Sequence, residues 1–249
     1  IGSDEFINGY SRNCFWLLDL PPDRLRRLPQ IMARVEKVRE FRLASKAATT
    51  RKFAETPAIF CQLAQPMTDY LLVPGVSSER RHYIPIGFMP AKVIANNLVF
   101  TVPGATRFHL GVMSSEMHMA WVRAVCGRLE SRYRYSKDIV YNNFPWPDAP
   151  SEAQQRKIEA AAQGVLDARA EFPDASLADL YDPLTMPPAL VKAHHRLDAA
   201  VDAAYGRKNF RNDAERVAFL FDLYRKYTSL LPASGKPAVK RKSAKKRPA

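Results

Sequence analysis

The stretch GRLESRYRYSKDIVYNNFPWP, from Gly127 to Pro147, decides how the remainder of the chain is read. It concentrates Arg128, Glu130, Arg132, Tyr133, Arg134, Tyr135, Asn142 and Asn143 in one run. Charges and amides in that density are costly to bury without partners, so the run asks for an external one. In the major groove an Arg fork matches guanine, a carboxylate accepts from cytosine and Asn matches adenine, while Arg or Tyr can hold a phosphate. Duplex DNA uses all of these groups. If the segment is extended, the alternation of Glu130, Arg132 and Arg134 places three charged side chains on one face. A solvated loop carrying surface ion pairs is the alternative that the residues alone leave open.

Upstream of this run, Ser114-Ser115-Glu116 is a helix-opening signal, and Met117, Trp121 and Val125 recur at helical spacing. Gly127 then stands where a helix commonly closes in left-handed backbone. The predicted helix fixes where the charged run begins, as a base-reading segment requires. His118 lies off the stripe and reads as a structural or solvent residue, with no second ligand at metal spacing.

Between Ala58 and Val112 the pattern changes to short apolar runs broken by Pro and Gly: AIFCQLA, DYLLVPGV, RRHYIPIGFMP, VIANNLVFTVPGA and RFHLGVM. These predict about five strands in a small, mostly antiparallel sheet. Arg80 and Arg81, beside His82 and Tyr83, form a polar cluster suited to the DNA backbone. Asn96-Asn97 is either a turn or an amide pair that reads an adenine edge. Nearer the N-terminus, CFWLL closes a loosely alternating segment and is expected as a short buried strand or loop. Pro21-Pro22-Asp23 and Pro29 start helices, the second with Ile31, Val35, Val38 and Phe41 on one stripe. Arg34, Lys37, Arg39 and Arg42 fill the rest of that helix. Lys46, Arg51 and Lys52 continue a positive ridge toward phosphates.

After Pro150 the chain reads as helical. Ser151 with Gln154 forms a capping box ahead of Ile158, Ala162, Val165 and Leu166. Pro188 opens a helix with Leu190, Leu197, Val201 and Ala204 on one face, ended by Gly206, and His194-His195 within it is expected at the surface. Asn212 with Glu215 caps a third helix, and the three are expected as a packed appendage. The expected fold is α+β: a small, mostly antiparallel sheet with packing helices over residues 1–150, a C-terminal helical segment over 151–232, and a basic tail over 233–249.

Composition narrows the function classes. The chain has 249 residues, 47% hydrophobic, and a formal net charge of +13, which favours a polyanionic partner. Seven basic residues and no acidic ones lie from Gly235 to the end, so the rest carries +6. That tail is disordered by composition and suits nonspecific affinity for DNA. Cys14, Cys61 and Cys126 are too few and too scattered for a disulfide framework or a zinc site, and a reducing cytoplasm fits them. No run approaches a membrane span. The sequence has no Gly-rich cofactor turn and no Asp/Asn-Pro-Pro-aromatic loop, since its Pro-Pro pairs read Leu20-Pro21-Pro22-Asp23 and Met186-Pro187-Pro188-Ala189. No chemistry is therefore expected from it, and with no initial Met it reads as a fragment. An RNA-binding or a protein-interaction module of a defence complex remains the alternative, although no RNP-type run or GxxG loop is present.

Together with SSEMHMAWVRAVC before it, and YNNFPWP at its end, the charged run resembles the target-recognition domain of DNA adenine methyltransferases, in particular the MmeI-like (type IIL) restriction-modification enzymes. The likeness extends, less specifically, from IGSDEFING to Leu231. It implies that Glu130 and Arg132 read one base pair with Arg134 beside them, and that the region of Asn97 and Leu98 reads another. From the residues themselves, backbone contacts are expected from Arg128, Arg80, Arg81, Tyr133, Lys46, Arg51 and Lys52. The likeness further implies a larger parent whose upstream domain binds S-adenosylmethionine and methylates adenine N6, with or without a fused nuclease. The C-terminal helices would help to clamp the recognition domain.

Overall fold

The computed structural model describes residues 1–207 and 210–229. Four helices come first: α1 (Ser3–Asn8), α2 (Pro22–Arg26), α3 (Pro29–Leu43) and α4 (Ala48–Lys52). Strands β1 (Tyr70–Pro74), β2 (Val76–Ser77), β3 (Gly87–Met89) and β4 (Val99–Pro103) follow, then α5 (Arg107–Met113) and α6 (Glu116–Val125). A hairpin of β5 (Gly127–Leu129) and β6 (Arg132–Arg134) leads to a π-helical turn, Lys137–Tyr141. The chain closes with α7 (Glu152–Ala170), α8 (Leu177–Leu180), α9 (Pro188–Ala204) and α10 (Asp213–Thr228). The expected α+β class is the observed one.

The strands form two antiparallel sheets of three, ordered β3-β1-β4 and β2-β6-β5. Leu71 pairs with Val102 on one side and Phe88 on the other, and all five residues of β1 are buried. The region expected to hold five strands holds four. RFHLGVM is helical instead, because Thr106 caps it by accepting from the Phe108 N–H at 3.2 Å, and burial of its Leu110–Met113 end follows helical packing. AIFCQLA is not a strand either: Phe60 and Leu63 stand exposed.

The N-terminal expectations need correction as well. Residues 3–8 are helical, and CFWLL is no buried strand, with Phe15 about half exposed and Leu18 at 40%. Helix α3 forms where Pro29 predicts it, yet its apolar stripe is not a core face, since Phe41 is 77% exposed and only Val35 and Arg42 are buried. Arg42 instead ties the following loop, donating to the carbonyls of Phe53, Thr56 and Ile59 at 2.7–2.9 Å. A charged hydrogen-bonding group replaces apolar packing as the organiser of this segment.

The helices after Pro150 are not an appendage. Helix α7 packs on both α9 and α5, and α10 packs on α6. One hydrophobic cluster runs from Leu71 and Ile84 through Leu110, Met117 and Trp121 to Ile158, Leu197, Val201 and Leu220. Each such fully buried aliphatic side chain is worth about 1.5–3 kcal/mol relative to exposure. Ser151 and Gln154 form the expected capping box, and Asn212 accepts from the Glu215 N–H. His194, expected at the surface, is completely buried, stacked on Tyr83 at 3.9 Å and bonded to the Tyr181 hydroxyl at 2.8 Å. Its aromatic partners lie on other elements, which helical periodicity cannot reveal. The basic tail lies outside the described residues.

At Gly111 α5 packs tightly on α7: a Cβ there would stand 2.6 Å from Ile158 Cγ2. We expect Gly111→Val to lower stability by about 1–3 kcal/mol through overpacking. Because the cluster is continuous, urea unfolding followed by tryptophan fluorescence and by helical circular dichroism should remain one transition for both proteins. Separate transitions for the two probes would contradict a shared core.

Candidate nucleic-acid interface

The charged run is a tight hairpin, not one extended strand. Strands β5 and β6 pair antiparallel, with Arg128 opposite Tyr133 and Leu129 opposite Arg132. Glu130 takes left-handed backbone, φ 56°, to make the turn with Ser131. The turn folds its carboxylate back onto Arg132, with Oε2 accepting from Nη2 at 2.7 Å. Glu130 and Arg132 are thus one exposed, opposed-charge pair at the hairpin tip. Arg132 and Arg134 share the outward face of β6, and Tyr133 between them points inward.

Tyr133 is the clearest departure from expectation: at 5% exposure it is not placed to hold a phosphate. Its ring is a platform for Arg128, whose guanidinium carbon lies 4.1 Å from the ring centroid. Arg128 also donates to the Ser131 carbonyl at 3.0 Å, so this cation is held at the tip by stacking and by a hydrogen bond.

The second candidate position converges on the first through Gly75. Its N–H donates to the Leu98 carbonyl and to Ser3 Oγ, both at 3.0 Å, and its carbonyl accepts from the Tyr135 N–H at 2.9 Å. A Cβ at residue 75 would stand 2.6 Å from the Leu98 oxygen, so only Gly permits this junction. One residue thereby joins the Asn96–Leu98 turn to the strand that carries Arg134. Within the turn Asn96 is structural, accepting from the Leu98 N–H at 2.8 Å, whereas Asn97 and Leu98 are exposed. The turn reading therefore describes Asn96, and Asn97 is left exposed.

The remaining basic candidates divide. Arg80 is exposed on the loop following β2, the strand that pairs with β6. Arg81 is turned inward, with Nε buried and no hydrogen-bond partner, and burial lowers its pKa. Lys46 and Lys52 are exposed, but Arg51 donates to the carbonyls of Ser45 and Lys46 at 2.9 and 2.8 Å and braces its own loop. These three belong to the α3–α4 segment, whose main packing is internal. Among the described residues no group of three or more His, Cys, Asp or Glu could hold a metal, and no helix is long and apolar enough to cross a membrane.

Comparison with known proteins matches this architecture. Residues 1–148 match the family model of the MmeI target recognition domain, and 150–232 match that of the MmeI C-terminal domain. The chain belongs to the MmeI family. A solved structure of the type IIL restriction-modification enzyme MmeI in complex with DNA superposes with a TM-score of 0.90 at 51% identity, covering 92% of this chain and 31% of that one. DNA methyltransferase A of Bacillus subtilis (strain 168) is 41% identical over 228 residues, 92% of this chain and 26% of the relative. The chain thus spans about a quarter to a third of the length of these relatives.

The two MmeI parts meet behind the hairpin, on α6. Every residue from Glu116 to Val122 is buried. Cys126 continues in extended backbone, so α6 passes directly into β5, and Gly127 does not close the helix in left-handed conformation as its position suggests. Trp121 Nε1 donates to the Val140 carbonyl at 3.1 Å, and His118 Nε2 lies 3.0 Å from the Tyr135 hydroxyl. Arg123 donates to Asp213 of α10 and to the His82 carbonyl, and it pairs with Glu116. Burial pushes the Glu116 carboxyl upward, but hydrogen bonds from His82 and Arg123 outweigh it and hold the group at about 2. Asp198 of α9 completes the set, accepting from the Glu116 N–H. Sequence reading missed Gly75 and Asp198 and placed Tyr83 in a polar cluster and His194 at the surface, where both are buried; only the VPGV turn around Gly75 carried a local signal.

His118 is a structural residue whose burial lowers its pKa from 6.5 to about 3. The sign follows from linkage: between those values the unfolded chain binds the proton more readily, so acidification removes stability that is present above 6.5. His118→Gln keeps a polar partner for Tyr135 and removes the titration. Its stability deficit relative to wild type should shrink as pH falls from 6.5 toward 3, as measured by urea denaturation at each pH. A pH-independent deficit would mean that His118 is not held neutral.

Proposed function

We propose that this chain is the sequence-reading module of a DNA adenine-N6 methyltransferase of the restriction-modification type, acting on duplex DNA in the cytoplasm. The observation that carries the reading is the Glu130–Arg132 pair, presented on a hairpin that a buried helix fixes in place. A carboxylate can accept from a cytosine amino group while the guanidinium donates to the acceptors of the paired guanine, so the two residues together read one C·G pair. Their mutual 2.7 Å ion pair keeps both poised at one place until base edges replace it. Arg134 stands beside them on the same strand face, and Asn97 with Leu98 offers a second position across the Gly75 junction. Arg128 and Arg80 supply backbone contacts, with Lys46 and Lys52 on the more distant helical segment. The structural relative described as bound to DNA supports the same partner.

The methyl transfer itself belongs to the rest of the parent polypeptide. In this reading S-adenosylmethionine binds an upstream catalytic domain, and this chain supplies the target. Incubated alone with S-adenosylmethionine and DNA, the chain should transfer no methyl groups; the same assay on a polypeptide that includes the upstream region should restore transfer. Cofactor binding to the chain alone, detected by calorimetry, would contradict this division of labour.

Exchanging the charges, Glu130→Lys with Arg132→Asp, reverses donor and acceptor and should shift preference from C·G to G·C at one position of the recognised sequence. Either change alone should lose roughly 1–3 kcal/mol of binding per broken bidentate contact. A mere surface ion pair would contribute at most about 1 kcal/mol to stability and leave sequence preference unaltered. Sequencing of methylated sites in the full-length parent separates these outcomes.

A further inference from the structure

We propose that Asp198, in the C-terminal domain, is a positioning residue for base readout: it anchors the N-terminus of α6 and thereby sets where the Glu130–Arg132 hairpin stands. The proposal rests on the reading of that hairpin given above. Asp198 is 9% exposed, and its two oxygens have separate tasks. Oδ1 accepts from the Glu116 backbone N–H at 2.7 Å, and Oδ2 accepts from the Tyr83 hydroxyl at 2.7 Å. The helix's own cap is weaker, since Ser115 Oγ accepts from the His118 N–H at 3.4 Å. A carboxylate from 82 residues away in sequence therefore supplies the strong cap, and its charge also suits the positive end of the helix dipole.

Helix α6 is the only covalent path from that cap to β5. Its sequence EMHMAWVRAV contains neither Gly nor Pro, and its ten residues rise about 15 Å before entering the hairpin without a loop. A shift or tilt at Glu116 is therefore carried to Gly127 by a stiff element. Base readout tolerates little of that, since bidentate contacts need side chains held within about 0.5 Å. The Asp198 carboxylate is held here at a cost. Burial raises its pKa to about 6, against the hydrogen bonds from Glu116 and Tyr83, so carrying a charge at this place costs folding free energy near neutral pH. The second tie, Arg123 to Asp213, holds the other end of α6.

The test is selection of bound duplexes from a pool of randomised DNA, comparing wild type with Asp198→Ala, Asp198→Asn and Tyr83→Phe, each well below its melting temperature. Affinity for bulk pool DNA is measured alongside. Asp198→Ala should reduce the preference at the base pair read by Glu130 and Arg132 by roughly ten-fold, the lower part of what losing a bidentate contact costs. Its affinity for unselected DNA should change less than about two-fold, because phosphate contacts tolerate small displacements. Asp198→Asn retains an acceptor for the Glu116 N–H and should restore most of the preference. Tyr83→Phe, a milder change that folds if Asp198→Ala does not, frees one carboxylate oxygen and should lose an intermediate part. Wild-type preference that survives both Asp198→Ala and Tyr83→Phe overturns the positioning role alone. An Asp198→Asn chain that loses as much as Asp198→Ala also overturns it. A wild-type chain with no preference at all overturns the hairpin reading, and the positioning role with it.

Discussion

The structure depends on the burial of α6. A helix with every residue from Glu116 to Val122 removed from solvent cannot offer a polar face to water, so its charged and polar members must find partners inside. Glu116 meets Arg123 and His82, His118 meets Tyr135, and the first free N–H meets Asp198. Apart from Arg123, which lies on α6 and itself reaches Asp213 of α10, the partners come from different parts of the chain, so satisfying one helix organises the loop after β2, the end of β6, α9 and α10 together. The hairpin then inherits a fixed origin from the last residue of that helix.

This arrangement explains how a surface made of mobile residue types can be precise. Arg and Glu side chains hold much rotamer entropy, and two surface charges in water attract only weakly. At the tip, the Arg128 guanidinium is stacked on the buried Tyr133 ring, and Glu130 is committed to a left-handed turn that returns it to Arg132. Order comes from backbone and buried aromatic, and the ion pair completes it. Gly75 extends the same order to Asn97 and Leu98, since its backbone bonds both sheets at once.

The pairing of a recognition part and a C-terminal helical part in the MmeI family also has a physical reason here. Two sheets of three short strands bury too little apolar surface to hold themselves rigid. Helices α7, α9 and α10 supply the missing core and, through Asp198 and Asp213, the polar ties to α6. The α2–α4 segment shows the contrast: its main packing is with itself, it leaves Phe41 exposed, and a buried Arg42 organises its loop.

By itself the sequence determined the elements whose signals are local. The helix starting at Glu116, the capping boxes, the helices after Pro29, Pro150 and Pro188, the mixed class, and the concentration of Arg, Glu and Asn in one run all follow from spacing and side-chain chemistry within a few residues. Tertiary structure decided the rest. RFHLGVM is equally apolar as strand or helix, and its cap at Thr106 with close packing on Ile158 made it a helix. The charged run became a hairpin because Glu130 accepted a left-handed turn, and Tyr133 went inward because its face of β6 packs on the main hydrophobic cluster. His194 was drawn into the core by Tyr83 and Tyr181, and Asp198 reached a helix terminus 82 positions away. Such contacts join residues with no periodic relation along the chain, so they exist only once the chain has closed on itself.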